Sequence, residues 1–229
     1  MTRSRWLVAY LALSLAAGAC SDDAAPAVGT PVPGTTVVMP PPLDDGDTSV
    51  EEALAARRSI RSFTQETLSF DEVSQLLWAT QGVTEQGGAG RTAPSAGGTY
   101  PLEVFAATPD GVYRYVPNGH ILEVVAPGQD VRARLAAAAL DQEWIADAAV
   151  VVVITAVFAR TEARYGDRAA RYVHLEAGHA AQNLLLQAVA LELGAVPVGA
   201  FRDAEVQEVL GVPSDHEPLY LIPVGHPAD

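Results

Sequence analysis

The sequence lacks lysine altogether and contains a single cysteine. Its fourteen basic residues are all arginine and stand against 28 acidic residues, which gives a formal net charge of −14. One cysteine cannot form an internal disulfide bond, and arginine cannot replace lysine as a proton carrier because it stays protonated. An acidic surface repels nucleic acid and anionic lipid headgroups. We therefore expect no nucleic-acid partner and no internal disulfide bond.

The N-terminus has the pattern of an export signal. "MTRSR" is basic, and the apolar run of residues 6–17 is too short to span a bilayer. "LAAGAC" then ends in Cys20, as in bacterial lipoproteins. The pattern predicts a signal peptide at residues 1–19, a lipid anchor on Cys20, and a protein facing the periplasm or the cell exterior that touches the membrane only through this anchor. The alternative is an ordinary secretory peptide with an incidental cysteine.

A proline-rich segment follows the predicted signal. Residues 21–47 contain six prolines, three glycines and no aromatic residue, which is typical of an extended linker. We assign residues 20–47 to the anchor and linker, and residues 48–229 to one folded domain, a length that allows a sizeable core.

Within that domain the pattern mixes helices and hairpins. Ser49 and Ser69 are predicted helix caps, and Ser69 is followed by Glu72 in a capping box. Residues 102–125 predict three short strands, and "AAVVVVITAVF" predicts a strand covered on both faces. Residues 167–193 predict one long buried helix that ends at Gly194. This order favours an α+β fold over a doubly wound one.

The stretch "RRSIRSF" (residues 57–63) concentrates positive charge in an acidic chain. If the preceding helix continues, Arg57 and Arg61 share one face, where guanidinium groups suit phosphate oxygens or a ligand carbonyl. Ser59 adds a small donor. The alternative is a solvated helix end whose arginines pair with the acidic surface.

The loop "RTAPSAGGTYP" (residues 91–101) offers backbone amides and a hydroxyl group. It is not a phosphate-binding P-loop, because no Gly-Lys-Ser/Thr follows. Nor is Ser95 a nucleophile elbow, since no glycine stands two residues before it. A flexible loop remains the alternative.

"HLEAGH" (residues 174–179) does not predict a metal site. His174 and His179 are five residues apart, which is about 140° around a helix. The glutamate is also misplaced for the zinc-protease pattern. We expect no metal, and histidines that are packed and hydrogen-bonded on a buried helix.

Read in order, "RRSIRSF", "LLWATQG", "RTAPSAGGTYPLEVF", "GVYRYVP", "RYVHLEAGHAAQNLLLQAVALELGAVPVGAF" and "PLYLIPVGHP" resemble the nitroreductase-like FMN enzymes, and within them the SagB-type dehydrogenase branch. The resemblance covers about residues 50–227. It implies an α+β fold with a central mixed, mostly antiparallel sheet, and a homodimer that holds two FMN molecules at its interface around the long helix carrying Gln182 and Asn183. It also implies hydride transfer at the flavin N5, with a small organic or peptide-derived substrate.

The resemblance also implies a set of cofactor-binding residues. Those toward the FMN phosphate and the pyrimidine edge are Arg57, Arg58, Ser59 and Arg61. Those reaching the flavin from the partner subunit are Pro94, Ser95, Ala96, Gly97 and Gly98. Those along the ring near N5 are Val198, Gly199 and Ala200, with Gly225 and His226 near the phosphate. The aromatic candidates for the substrate side are Tyr100, Tyr165, Tyr172 and Phe201. The alternative is that these four residues pack in the hydrophobic core.

The chain also departs from that branch. SagB-type enzymes that oxidise azolines use a lysine and a tyrosine near the substrate, and this chain has no lysine. Nicotinamide nucleotides are scarce outside the cytoplasm, so export favours a dehydrogenase that takes hydride from an organic substrate. The alternatives are a nitro or quinone reductase fed by NAD(P)H, a non-catalytic flavin- or ligand-binding module, and a structural lipoprotein.

Overall fold

The computed structural model describes residues 32–85 and 90–228 of the chain. The predicted signal peptide, Cys20 and the first part of the predicted linker lie outside the described residues. Across the described ranges, no helix is both long and apolar enough to cross a membrane.

Seven strands form one sheet in the order β1-β4-β3-β2-β5-β7-β6. Every pair of neighbouring strands is antiparallel, and an isolated parallel bridge joins Ser59 to Ala195. The predicted α+β fold and its mostly antiparallel sheet are confirmed. The strands are β1 Thr36–Val38, β2 Leu102–Thr108, β3 Gly111–Val116, β4 Ile121–Pro127, β5 Val150–Ala156, β6 Gly194–Ala195 and β7 Glu217–Gly225.

Helices cover both faces of the sheet. Ser49 and Ser69 each cap a helix through a complete capping box, as the sequence predicts. The predicted long helix is present but shorter, because a 3₁₀ turn at 166–168 precedes it. The helices are α1 Val50–Ala56, α2 Phe70–Gln81, α3 Arg132–Ala138, α4 Ala159–Tyr165, α5 Ala169–Ala190 and α6 Asp203–Leu210.

The sheet separates two hydrophobic cores. On β5, Val152 and Ile154 pack with α2 and α5, whereas Val151 and Val153 pack with α3 and α6. Successive strand side chains point to opposite faces, so a strand without polar alternation must be covered on both. All seven residues of β5 are buried, which confirms that prediction.

The folded domain begins earlier than residue 48. β1 pairs with β4 inside the predicted linker, and Met39 is only 4% exposed. The Pro40 carbonyl accepts hydrogen bonds from the Ser74 hydroxyl at 2.7 Å and lies 2.9 Å from His120 Nε2. Gln75 pairs with both backbone polar groups of Leu43. A chain of extended conformation can add to a free sheet edge, as residues 36–38 do here.

We expect Met39→Ala to lower the free energy of unfolding by about 2–3 kcal/mol, because a buried methionine side chain is lost from the core. Val38→Ala is the matched control, since Val38 is 68% exposed; its effect should stay within about 0.5 kcal/mol. Urea unfolding of both variants measures the difference. Equal effects would show that the segment is not part of the folded unit.

Candidate functional site

The arginine-rich segment lies along the β6 edge of the sheet. α1 ends at Ala56, and the Arg58 guanidinium donates to the carbonyls of Ala55 and Arg57 at the helix end. The chain then runs extended, with the Ile60 N–H donating to the Ala195 carbonyl at 3.2 Å. The helix therefore does not continue to Arg61, and the condition under which Arg57 and Arg61 would share a helical face is not met, because pairing with the sheet edge replaces the helix.

The predicted side chains of Arg57, Ser59 and Arg61 lie within one short segment, which an isolated bridge from Ser59 to Ala195 holds beside the sheet. Within the described ranges, neither Arg57 nor Arg61 has a carboxylate within ion-pair distance, although the protein is acidic. The Arg61 guanidinium lies 5.7 Å from the centre of the Trp144 ring. Half-buried Arg57 and exposed Arg61 thus remain available to an anion.

Two other predicted segments meet the arginine segment at this edge. Phe63 bridges to Pro227, and the Thr64 N–H donates to the His226 carbonyl at 2.9 Å. Gly225 pairs with Gly194 of β6, the strand that Ser59 and Ile60 contact. Val198 follows β6 and bridges to Leu221 of β7, leaving the next two residues exposed. We call this assembly of residues 57–64, 194–200 and 225–228 the arginine edge.

Gly194 allows the arginine segment to approach the sheet. A Cβ atom at this position would lie 2.7 Å from Ile60 Cγ2 and 2.9 Å from Ile60 Cβ. We expect Gly194→Val to displace the segment and to speed hydrogen exchange of the Ile60 amide, at a cost of about 1–3 kcal/mol in stability. Gly199→Ala is the control, because nothing lies within 4 Å of its Cβ position. Unchanged protection of Ile60 would contradict this docking geometry.

The loop of residues 94–98 lies elsewhere in the chain, against α4 and the first half of α5. The Arg164 guanidinium donates to the Gly97 carbonyl at 2.9 Å, and the Tyr100 N–H donates to the Ser95 hydroxyl at 2.9 Å. Gly97 has φ +60° and leaves no room for a Cβ atom beside the Tyr165 hydroxyl, 2.6 Å away. α1 packs near Ala190 at the other end of α5. At 1.5 Å per residue, Glu176 and Ala190 are about 21 Å apart along the helix.

The four substrate-side aromatic residues fall into two groups. Tyr165 and Tyr172 pack edge-to-face beside the loop of residues 94–98, with ring centres 4.9 Å apart. Tyr100 lies under the Arg91 guanidinium at 4.3 Å. Phe201 instead packs on the core beneath α3 and α6. A single chain therefore does not assemble them into one aromatic wall.

The histidines of α5 are not packed as predicted. His174 and His179 are both exposed, and His174 contacts the Phe158 ring edge-to-face at 5.6 Å between ring centres. The prediction was wrong because the buried face of α5 carries small and aliphatic residues instead. In the ranges that the structure describes, no three His, Cys, Asp or Glu residues are placed to hold a metal ion.

A buried polar cluster beneath the loop was missed at the sequence level. Glu176, only 2% exposed, accepts a hydrogen bond from the Gln81 amide at 3.4 Å, and Gln81 in turn accepts from Arg91 at 3.4 Å. The buried Arg91 Nε has no hydrogen-bond partner among the residues that the structure describes. The available signal is a glutamate on the apolar face of a long buried helix.

Burial dominates the electrostatics of this cluster. It raises the pKa of Glu176 to about 7, while hydrogen bonds with Ser95 and Gln81 and the charge of Arg91 act in the opposite direction. Burial also lowers the pKa of Arg91. Glu176 is therefore a carboxyl group that changes its charge near neutral pH.

A model of the nitroreductase family matches residues 54–226. The chain belongs to the nitroreductase family. A candidate nitroreductase of Methanocaldococcus jannaschii is 44% identical over 188 residues, covering 80% of this chain and 93% of the relative. The family comprises oxidoreductases that generally bind a flavin, usually FMN, and this nitroreductase-family chain is accordingly an oxidoreductase.

Solved structures show the same fold. A candidate nitroreductase of Ralstonia eutropha JMP134 superposes with a TM-score of 0.77 at 30% identity, covering 85% of this chain and 90% of that one. A candidate nitroreductase of Anabaena variabilis ATCC 29413 superposes with a TM-score of 0.74 at 32% identity. The match covers 85% of this chain but 42% of that longer chain. A chain of the E. coli microcin synthetase complex gives 0.67 at 22% identity, a likeness of fold, with 84% and 78% covered.

Proposed function

We propose that the protein is an FMN-dependent dehydrogenase that moves hydride between a small organic or peptide-derived substrate and the flavin. One observation carries the proposal: half-buried Arg57 and exposed Arg61 have no carboxylate partner among the described residues, in a segment that contacts Ala195 and His226. A phosphate dianion in a protein of net charge −14 needs concentrated guanidinium groups. The residues present therefore fit the FMN phosphate.

In this proposal the flavin and the protein have different roles. The flavin supplies the redox chemistry, and the protein supplies orientation and exclusion of water. Arg57, Ser59 and Arg61 would hold the phosphate and the pyrimidine edge. The exposed backbone at Gly199 and Ala200 would donate hydrogen bonds along the ring.

We propose a homodimer with FMN at its interface. The arginine edge and the loop of residues 94–98 lie at separate places along one chain. The loop packs near Glu176 of α5 and the helix before the arginines packs near Ala190, about 21 Å farther along α5. A second copy can bring its loop to the first copy's arginine edge. Apolar side chains are exposed on the two helices involved, with Leu54 on α1 at 55% and Leu175 on α5 at 52%, as expected of a covered interface.

The proposed place of action is outside the cytoplasm, at a membrane to which Cys20 is anchored by lipid. There, a reaction that draws hydride from an organic substrate needs no nicotinamide nucleotide. A SagB-type azoline oxidation would need a proton carrier other than the lysine of that branch, which this chain lacks. The likeness to a microcin synthetase chain is one of fold and does not decide the substrate.

Titration of the purified protein with FMN tests the proposal. After removal of free flavin, a visible bound-flavin spectrum supports it, and failure to take up FMN at micromolar concentration contradicts it. Rapid bleaching by NADH or NADPH would favour the alternative reductase. Bound flavin whose redox state no donor or acceptor changes would favour the binding module.

A further inference from the structure

Glu176 lines a cavity beneath the loop of residues 94–98, and the proposed function gives this carboxyl group no role. The cavity has a volume of about 240 Å³ and lies between the loop of residues 94–98 and α5, with Ser95, Glu176, Tyr172 and His179 among its lining residues. Glu176 is 2% exposed and forms no ion pair with an arginine or histidine of the described chain. A buried carboxyl group without a direct cationic partner is costly to retain as a charged group.

Three elements contribute groups near Glu176: the loop of residues 91–98, the end of α2 and α5 itself. Ser95 of the loop and Gln81 at the end of α2 hydrogen-bond with the carboxyl group. Arg91 is the nearest cation and reaches it only through Gln81. On α5 itself, Tyr172 and His179 lie one turn before and after it. The Ser95 hydroxyl accepts the Tyr100 N–H, so its own proton is free to point to the carboxylate.

We propose that Glu176, acting through the hydroxyl group of Ser95, delivers and takes up the proton of the substrate in the proposed oxidoreductase. The inference rests on the proposed function, which places the loop of residues 94–98 beside the flavin. It supplies a proton carrier in place of the lysine that this chain lacks, since Arg91 remains protonated. Glu176 is thus a positioning and proton-holding residue, whereas Ser95 is the group that meets the substrate.

The proton step balances without further reactants. In reduction of a quinone, the hydride brings both electrons from the reduced flavin to the substrate. One substrate oxygen forms an O–H bond as the Ser95 O–H bond breaks, and Ser95 regains its proton as the Glu176 O–H bond breaks. Glu176 is left as a carboxylate and is reprotonated from solvent through the cavity. Oxidation of an alcohol or amine runs the same transfers backwards.

The first test needs no flavin. Infrared difference spectra of the full chain across a pH series follow the carboxylic acid band that Glu176→Gln removes. We expect this band to disappear with a midpoint near pH 7, and the midpoint to rise in Ser95→Ala, because the Ser95 hydrogen bond favours the carboxylate. A midpoint near 4.5, the ordinary value for glutamate, would overturn the proposal.

The second test uses FMN-loaded protein and 1,4-benzoquinone as the probe. The flavin is reduced by light under anaerobic conditions, and its reoxidation by the quinone is followed as a function of pH. Above pH 7 we expect the wild-type rate to fall about tenfold per pH unit, as required for an acid that must be protonated. In Glu176→Gln and Ser95→Ala the rate should be roughly hundredfold lower and independent of pH.

Controls separate this proposal from the proposed function. Glu208→Gln changes an exposed carboxylate on α6 and should leave the profile unchanged, and His179→Ala removes the histidine of the cavity. If FMN binds and reoxidises in Glu176→Gln with the wild-type pH profile, the relay is wrong and the oxidoreductase stands. If no variant or wild-type protein takes up FMN, both are wrong. If His179→Ala, rather than Glu176→Gln, loses the pH dependence, the role of Glu176 is equally overturned.

Discussion

FMN should bind about 10²–10⁴-fold more weakly to the double variant Arg57→Ala, Arg61→Ala than to the wild-type protein. Each guanidinium that hydrogen-bonds to a charged group contributes about 1.5–3 kcal/mol, and a tenfold change corresponds to about 1.4 kcal/mol. Neither side chain has an ion-pair partner among the described residues, so its loss costs little stability. Fluorescence titration with FMN, with circular dichroism to verify folding, measures the effect.

Arg134→Ala is the matched control for this loss of charge. Arg134 is exposed on α3 and makes only a long contact, 3.9 Å, with Glu208. The substitution Arg134→Ala removes a positive charge without changing the arginine edge. FMN affinity should therefore change less than about threefold at physiological salt. If the double variant retains wild-type affinity, the phosphate binds elsewhere. If both variants lose affinity equally, net charge rather than a site explains the result.

The second large effect is a pH-dependent gain in stability from Glu176→Gln. Folding raises the pKa of Glu176 from 4.5 to about 7, so between these values the folded state holds more protons than the unfolded state. The stability of the wild-type protein therefore falls as pH rises through this window. The shift corresponds to about 3 kcal/mol, which a neutral glutamine of similar shape avoids.

Urea unfolding at a series of pH values measures this effect. The stability of Glu176→Gln relative to wild type should rise by about 3 kcal/mol from pH 4.5 to above pH 7 and then level off. Glu208→Gln, on the exposed face of α6, should show no such trend. A constant difference between Glu176→Gln and wild type would show that the carboxyl group does not titrate anomalously.

Local patterns in the sequence predicted most elements of the fold. The capping boxes at Ser49 and Ser69 set the starts of α1 and α2, because the signal lies within four residues. The uniform apolar run of β5 predicted burial on both faces for a similar reason. β1 was not predicted, because its pairing with β4 joins residues more than eighty positions apart and leaves no local periodicity.

The candidate site was predictable as a set of segments but not as a geometry. The order of motifs led to the arginine segment and to Val198–Ala200, and the structure brings these together at one edge. Arg57 and Arg61 do not lie on one helix, because Ile60 pairs with Ala195, which is 135 positions later in the sequence. The Glu176 cluster depends on three separate elements, so only tertiary structure reveals it.

The two edges of the sheet also define a direction in the molecule. The chain enters the fold at β1, on one edge, and the arginine edge lies beside β6, on the other. Six strand spacings separate them, about 29 Å measured across the sheet. A group attached directly before β1, whether a surface or a fusion partner, therefore meets the domain on the side remote from the arginines. Immobilisation through the N-terminus should leave the opposite edge open to small molecules in solution.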